Sequence, residues 1–183
     1  MNPEEGAPFR TVREPAEAER REKGSRFLAF IEPCPDRETA RARIEDHRER
    51  FDDATHVCWA WRLRSEPEPG EASSDEGEPS GTAGVPMLGA LQSEDLWDVL
   101  GIVVRWYGGT NLGRGGLIRA YRGALARAAE AAQIVETLPT VRVTVALVRL
   151  GLPSIIDRRP TPSPACARRR RTTLPAGSRP SSR

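Results

Sequence analysis

Between Ala40 and Phe51 the apolar positions step by three and four, so that Ala40, Ile44, His47 and Phe51 share one face of a helix. Arg41, Glu45, Arg48 and Glu49 occupy the opposite face. Asp36 stands just ahead and can cap this helix, because a carboxylate there accepts from the free N–H groups of the first turn. Upstream, Arg26 to Ile31 reads as a strand closed by Pro33 and Pro35. Thr55 to Leu63 alternates with period two: Val57, Trp59, Trp61 and Leu63 on one side, His56, Cys58, Ala60 and Arg62 on the other. A long acidic loop rich in Pro, Gly and Glu follows from Ser65 to Ser80, of a length that is usually functional or disordered. Thr82 to Leu91 predicts a short helix, weakened by Gly84, Pro86 and Gly89. Val99 to Tyr107 is nearly continuous in apolar residues and predicts a central strand buried on both faces. It empties into a glycine-rich run, Gly108 to Gly116, and then a long helix with Leu117, Tyr121, Ala124, Leu125, Ala128 and Ala132 as its apolar stripe.

The ends carry no such pattern. Residues 1 to 23 mix Glu, Arg and Pro and predict a disordered leader. Val141 to Val148 reads as one more strand. Beyond Leu150, six prolines and the run Arg168 to Arg171 replace any period, so residues 151 to 183 cannot bury a core and predict a disordered Arg/Pro-rich tail. Its origin is open between a basic tail and an out-of-frame translation of a GC-rich gene.

Composition narrows the class. The 183 residues suffice for one domain with extras, and 38% hydrophobic against 30% charged content leaves part of the chain outside a core. The net charge of +2 makes no strong polyanion trap of the whole molecule. Cys34, Cys58 and Cys166 are widely spaced, without a CxxC, which points to reduced thiols in a cytoplasmic protein. His47 and His56 are the two histidines, too few for a His-rich metal site. No run approaches a membrane span and no signal peptide is legible, so membrane partners are not expected.

The candidate chemistry concentrates in two places. A strand, then glycines, then a helix presents free backbone N–H groups at a helix N-terminus, where the dipole also favours an anion. Arg105, Gly108, Gly109, Gly113, Arg114, Gly115, Gly116 and Arg119 form this candidate anion or nucleic-acid site. It is not a Walker A loop, since Arg114 and Gly115 stand where Lys and Ser/Thr are required. The competing reading is a tight turn needing positive φ so that the helix can pack on the sheet. In the acidic block, Asp75 and Glu78 form a possible second site. Adjacent loop acids are usually solvated, and a milder reading pairs Glu78 or Asp75 with an arginine of the turn. A hydrolase would need Asp75, Glu78 and His56 to converge in a concave pocket. Exposed, Trp59 and Trp61 would stack bases, with Arg62 or Arg64 meeting phosphates; buried, they are core, which is the commoner fate. His56 and Cys58 share a face, and packing is the better reading for both.

Four blocks together resemble the Impact/YigZ family: Lys23-Gly24-Ser25-Arg26-Phe27, Ala54 to Ala60, Ser74-Asp75-Glu76-Gly77-Glu78-Pro79-Ser80-Gly81-Thr82-Ala83-Gly84, and Arg105 to Tyr121. The resemblance implies an α+β fold of the ribosomal protein S5 domain 2-like type over residues 24 to 136, with a sheet packed against two helices. Bacterial members add a ferredoxin-like domain, of which residues 137 to 150 would be a remnant strand. Eukaryotic relatives act in translational control, and bacterial ones have been proposed to bind nucleic acid. The expectation is therefore a non-catalytic, translation-associated module, a monomer or weak homo-oligomer without metal or cofactor. Its partner would be RNA or a ribosome-associated protein. The alternatives are a small-substrate hydrolase, a proline-dipeptidase label whose metal ligands these residues do not supply, and a nucleotide-binding module.

Overall fold

Lys23 and Gly24 both take positive φ, 46° and 83°, the geometry of a two-residue hairpin whose twist matches that of its strands. The computed structural model describes residues 7–64 and 70–139. In chain order its elements are β1 (Phe9–Val12), β2 (Ala16–Glu22), β3 (Ser25–Pro33), α1 (Arg37–Arg50), β4 (His56–Leu63), β5 (Gly70–Ser74), α2 (Gly84–Ser93), β6 (Val99–Trp106), α3 (Gly113–Ala131) and β7 (Ile134–Thr137).

The main sheet has the order β2-β3-β6-β4-β5, and every pairing in it is antiparallel. β6 lies at its centre, buried from Val99 to Arg105 as a two-sided core strand should be. Alternation along β3 and β4 sends Phe27, Ala29, Ile31, Cys58 and Ala60 to one face, where α2 and α3 pack through Met87, Leu91, Leu117, Tyr121 and Leu125. The other face, with Phe30, Val57, Trp61, Leu63, Leu100 and Ile102, receives Ala40 and Ile44 of α1. The fold is α+β. Two helices cover one face as expected, and a third covers the other. Asp36 caps α1 through the Thr39 amide at 2.7 Å.

Three expectations need correction. From Phe9 onward the leader is not disordered: β1 pairs with β7, and β2 extends the main sheet beside β3. The acidic loop contains β5, an edge strand on β4. Thr137 closes β7 within this domain and does not open a second one. The strand read at Val141 to Val148 and the tail from 151 lie outside the described residues.

Candidate functional site

Strand register builds the site floor. Arg26 to Pro33 pairs with Val99 to Trp106, and His56 to Arg62 pairs with the other edge of the same strand, so Phe27, Arg105 and His56 stand side by side. They face α3, whose Tyr121 meets the Phe27 ring edge-on at 5.2 Å. Glu78 enters from the acidic loop. Its Oε1 accepts from the Arg105 Nη1 donor and from the Tyr121 hydroxyl at 2.7 Å. Arg105 is 4% exposed and Glu78 7%, so this ion pair is buried. A charge held there needs its partner, because an unpaired one would be strongly destabilising.

His56 completes the floor. Its Nδ1 lies 2.9 Å from the Glu76 carbonyl oxygen. Since a carbonyl only accepts, Nδ1 carries a proton, and the ring's other nitrogen is Nε2. That Nε2 is 3.8 Å from Glu78 Oε1. Behind it, burial pushes the Cys58 thiol up to about 12, and its Sγ donates to the Asp75 carbonyl at 3.0 Å. Burial, with Cys58 and Glu78 nearby, also raises Tyr121, which stays protonated as a donor.

The three acids of the loop go in three directions. Asp75 turns to α2 and accepts from the amides of Gly81, Ala83 and Gly84 at 2.7, 2.8 and 2.8 Å. Burial alone would raise its carboxyl, but these backbone donors outweigh it and hold it below the ordinary value. Glu76 binds Arg48 of α1 at 2.8 Å and accepts from Trp59 Nε1 at 3.1 Å. Glu78 goes to Arg105. The acidic block is therefore a junction that ties α1, α2 and the sheet together. Asp75 and Glu78 are not a free acidic site, because both carboxylates are committed to internal donors. Nor do Asp75, Glu78 and His56 converge: only the last two meet.

Above this floor opens a cleft of about 550 Å³, lined by His56, Glu78, Arg105, Tyr107, Asn111 and Arg114 among others, with Gly113 and Leu117 of α3 on its wall. The first amides of a helix lack intrahelical partners, and Leu112 at the N-cap of α3 supplies no side-chain hydrogen bond to them. Gly113, Arg114, Gly115 and Gly116 make up that first turn. Arg114 donates from Nη2 to the Ser80 carbonyl at 3.0 Å and keeps its exposed head at the cleft. Arg119 is exposed outside the cleft, on the outer side of α3. Among the described residues, the Nε of Arg105 is buried without a hydrogen-bond partner.

Two members of the expected site play other roles. Arg105 is no solvent-facing phosphate contact, since Glu78 and Ser25 Oγ, at 3.3 Å from Nη2, engage its guanidinium. Gly108 donates its amide to Ser25 Oγ at 3.2 Å, and a Cβ on it would fall 1.9 Å from the Gly24 carbonyl carbon. It is a crossing point of two chains. Positive φ occurs at Gly109 and Gly113 only within this run, at 84° and 69°, so the turn reading holds in part. Trp61 is core, and Arg62 is buried against Glu71 and the Trp97 ring. Sequence reasoning missed Tyr107, Asn111 and Ser25 as parts of the site, because single polar residues beside a glycine run carry no periodic signal.

Fold and cleft together define a small α+β domain, with a five-stranded antiparallel sheet and a helix N-terminus opening onto a pocket floored by a buried ion pair. The chain belongs to the Impact family: the Impact N-terminal domain matches residues 23–129. It is 41% identical over 108 residues to the IMPACT family member YigZ of Escherichia coli, covering 58% of this chain and 52% of that protein. It is 40% identical over 111 residues to the IMPACT family member YvyE of Bacillus subtilis, covering 61% and 51%. A crystal structure of a hypothetical protein superposes with a TM-score of 0.68 at 34% identity, covering 72% of this chain and 65% of that one. The chain spans about half the length of the curated bacterial relatives YigZ and YvyE. Among the described residues no helix is long and apolar enough to cross a membrane.

Proposed function

We propose that this protein is a non-catalytic, translation-associated binding module of the cytoplasm, which grips an anionic group of RNA at the mouth of the cleft. The observation that carries this reading is the open end of α3 at the cleft, where the uncapped amides of Gly113 to Gly115 stand beside the exposed guanidinium of Arg114. A helix N-terminus favours an anion through both its amides and its dipole. The family resemblance supplies the link to translation. Glu78 does not repel the ligand, because Arg105 and Tyr121 already neutralise and bond it.

The test is co-sedimentation with ribosomes, together with binding of a labelled RNA, for the natural chain and for Arg114→Ala and Asn111→Asp. Both variants weaken binding on this reading, the second by placing a negative charge beside the amides. Association unchanged in both would remove the cleft from the binding surface. A hydrolytic role is less well supported, since Asp75 stands apart from His56 and Glu78 and is used up in capping α2.

A further inference from the structure

Beyond the cleft, α3 carries an outer face that the fold leaves uncovered. Arg119, Arg122 and Arg127 are exposed along its solvent side, and Arg114 is exposed at its cleft end. Among the described residues, Arg119, Arg122 and Arg127 have no hydrogen bond or ion pair. Glu130 is the sole acid on this helix. The neighbouring strand adds Arg20, whose guanidinium packs on Gly123 and is paired with Glu22 at 3.1 Å. Small residues, Gly115 and Ala126, lie between the arginines, so a chain laid along the helix can come close to its backbone there. Arg114 to Arg127 covers thirteen helical steps, about 20 Å at 1.5 Å per residue. At about 3.4 Å per nucleotide of a stacked strand this is roughly six nucleotides.

Where the arginine row begins, at the cleft, Tyr107 is 46% exposed. Its hydroxyl donates to Asn111 Oδ1 at 3.2 Å, which steadies the ring as a surface on which a base can stack. We infer that α3 is a track for single-stranded RNA, which places one phosphate in the cleft, a base on Tyr107, and successive phosphates on Arg119, Arg122 and Arg127. This rests on the cleft reading above and extends it to a polymer and a direction. An acidic protein segment is the rival occupant, favoured by the exposed apolar side chains of Ile118, 37% exposed, and Val85 on the adjoining helix. The aromatic at the end of the row and the near absence of apolar contacts along it favour RNA.

The experiment uses the whole chain and 5′-labelled oligouridylates of four and twelve nucleotides, read by fluorescence anisotropy across a potassium chloride series. The comparison variant is Arg119→Ala/Arg122→Ala/Arg127→Ala, whose exposed positions leave the fold intact, checked by circular dichroism. Arginines beyond residue 150 contribute equally to both proteins and cancel in the difference. The natural chain binds the twelve-mer more tightly than the four-mer, and the triple variant loses that advantage. Its slope of log K against log salt becomes shallower by about 2, from about 0.7 for each of three lost phosphate contacts on a single strand. An unchanged slope and length preference overturns the track. So does a dodeca-glutamate peptide that competes as well as the RNA, which would give the face to an acidic protein. If the track fails while inorganic pyrophosphate still binds both proteins equally, the cleft reading stands without it; pyrophosphate bound by neither puts the fault in the cleft reading.

Discussion

At the scale of single residues, the site is set by groups whose freedom has been removed. Gly108 has no room for a side chain, since the atoms a Cβ would meet are backbone atoms of Gly24 and Ser25. Gly108→Ala should therefore lower stability in urea by about 1–3 kcal/mol, the range for forced overpacking. Glu78→Ala leaves the Arg105 charge buried and alone, with an expected cost of about 3–5 kcal/mol. Combining it with Arg105→Met should cost clearly less than the sum of the single changes; additive costs would mean that the pair is not coupled. Cys58 makes a kinetic prediction. With its thiol pushed up to about 12, native Cys58 should resist iodoacetamide at pH 8, while the urea-unfolded chain reacts readily, as followed by peptide mass spectrometry. The raised value also sets a sign: the protonated thiol favours the fold below about pH 9, and that contribution fades as the pH climbs from 9 towards 12.

At the scale of elements, Asp75 does for α2 what that helix's own N-cap does not, since Ala83 has no side-chain donor or acceptor to offer. Asp75→Asn should cost about 0.5–2 kcal/mol, the usual worth of a cap. Because the carboxyl is held below its ordinary 3.8, its contribution is complete above that pH and is lost as the pH falls through the lower, folded-state value. The variant's acid unfolding curve should lack this component. Helices and buried strands were legible in advance because their burial imposes a period: Ala40, Ile44 and His47 for α1, the apolar run for β6. β1 and β2 were not, because they sit at edges and carry charges. Yet Ala16, Glu17, Ala18 and Glu19 alternate with period two, and Lys23-Gly24 is a hairpin turn. Both signals were there, masked by a composition that resembles a disordered leader.

At the scale of the whole molecule, the motif blocks separated in sequence are one object in space. Ser25, His56, Glu78, Arg105 and Tyr121 come from three strands, a loop and a helix, and they meet because the sheet order sets β3, β6 and β4 side by side. The sequence pointed to the right segments but misassigned single side chains within them. Sequence alone puts Arg105 in an anion-binding set, but a residue near the end of a central strand alternates either way, and only the register decides that it pairs with Glu78. What the glycine run does retain is its open helix end. The most direct test is a titration of the isotopically labelled chain with inorganic pyrophosphate, following backbone amide resonances. The account predicts saturable shifts centred on Gly113 to Gly115, weakened in Arg114→Ala. Shifts that are absent there, or that spread evenly over the surface and vanish in moderate salt, would contradict it.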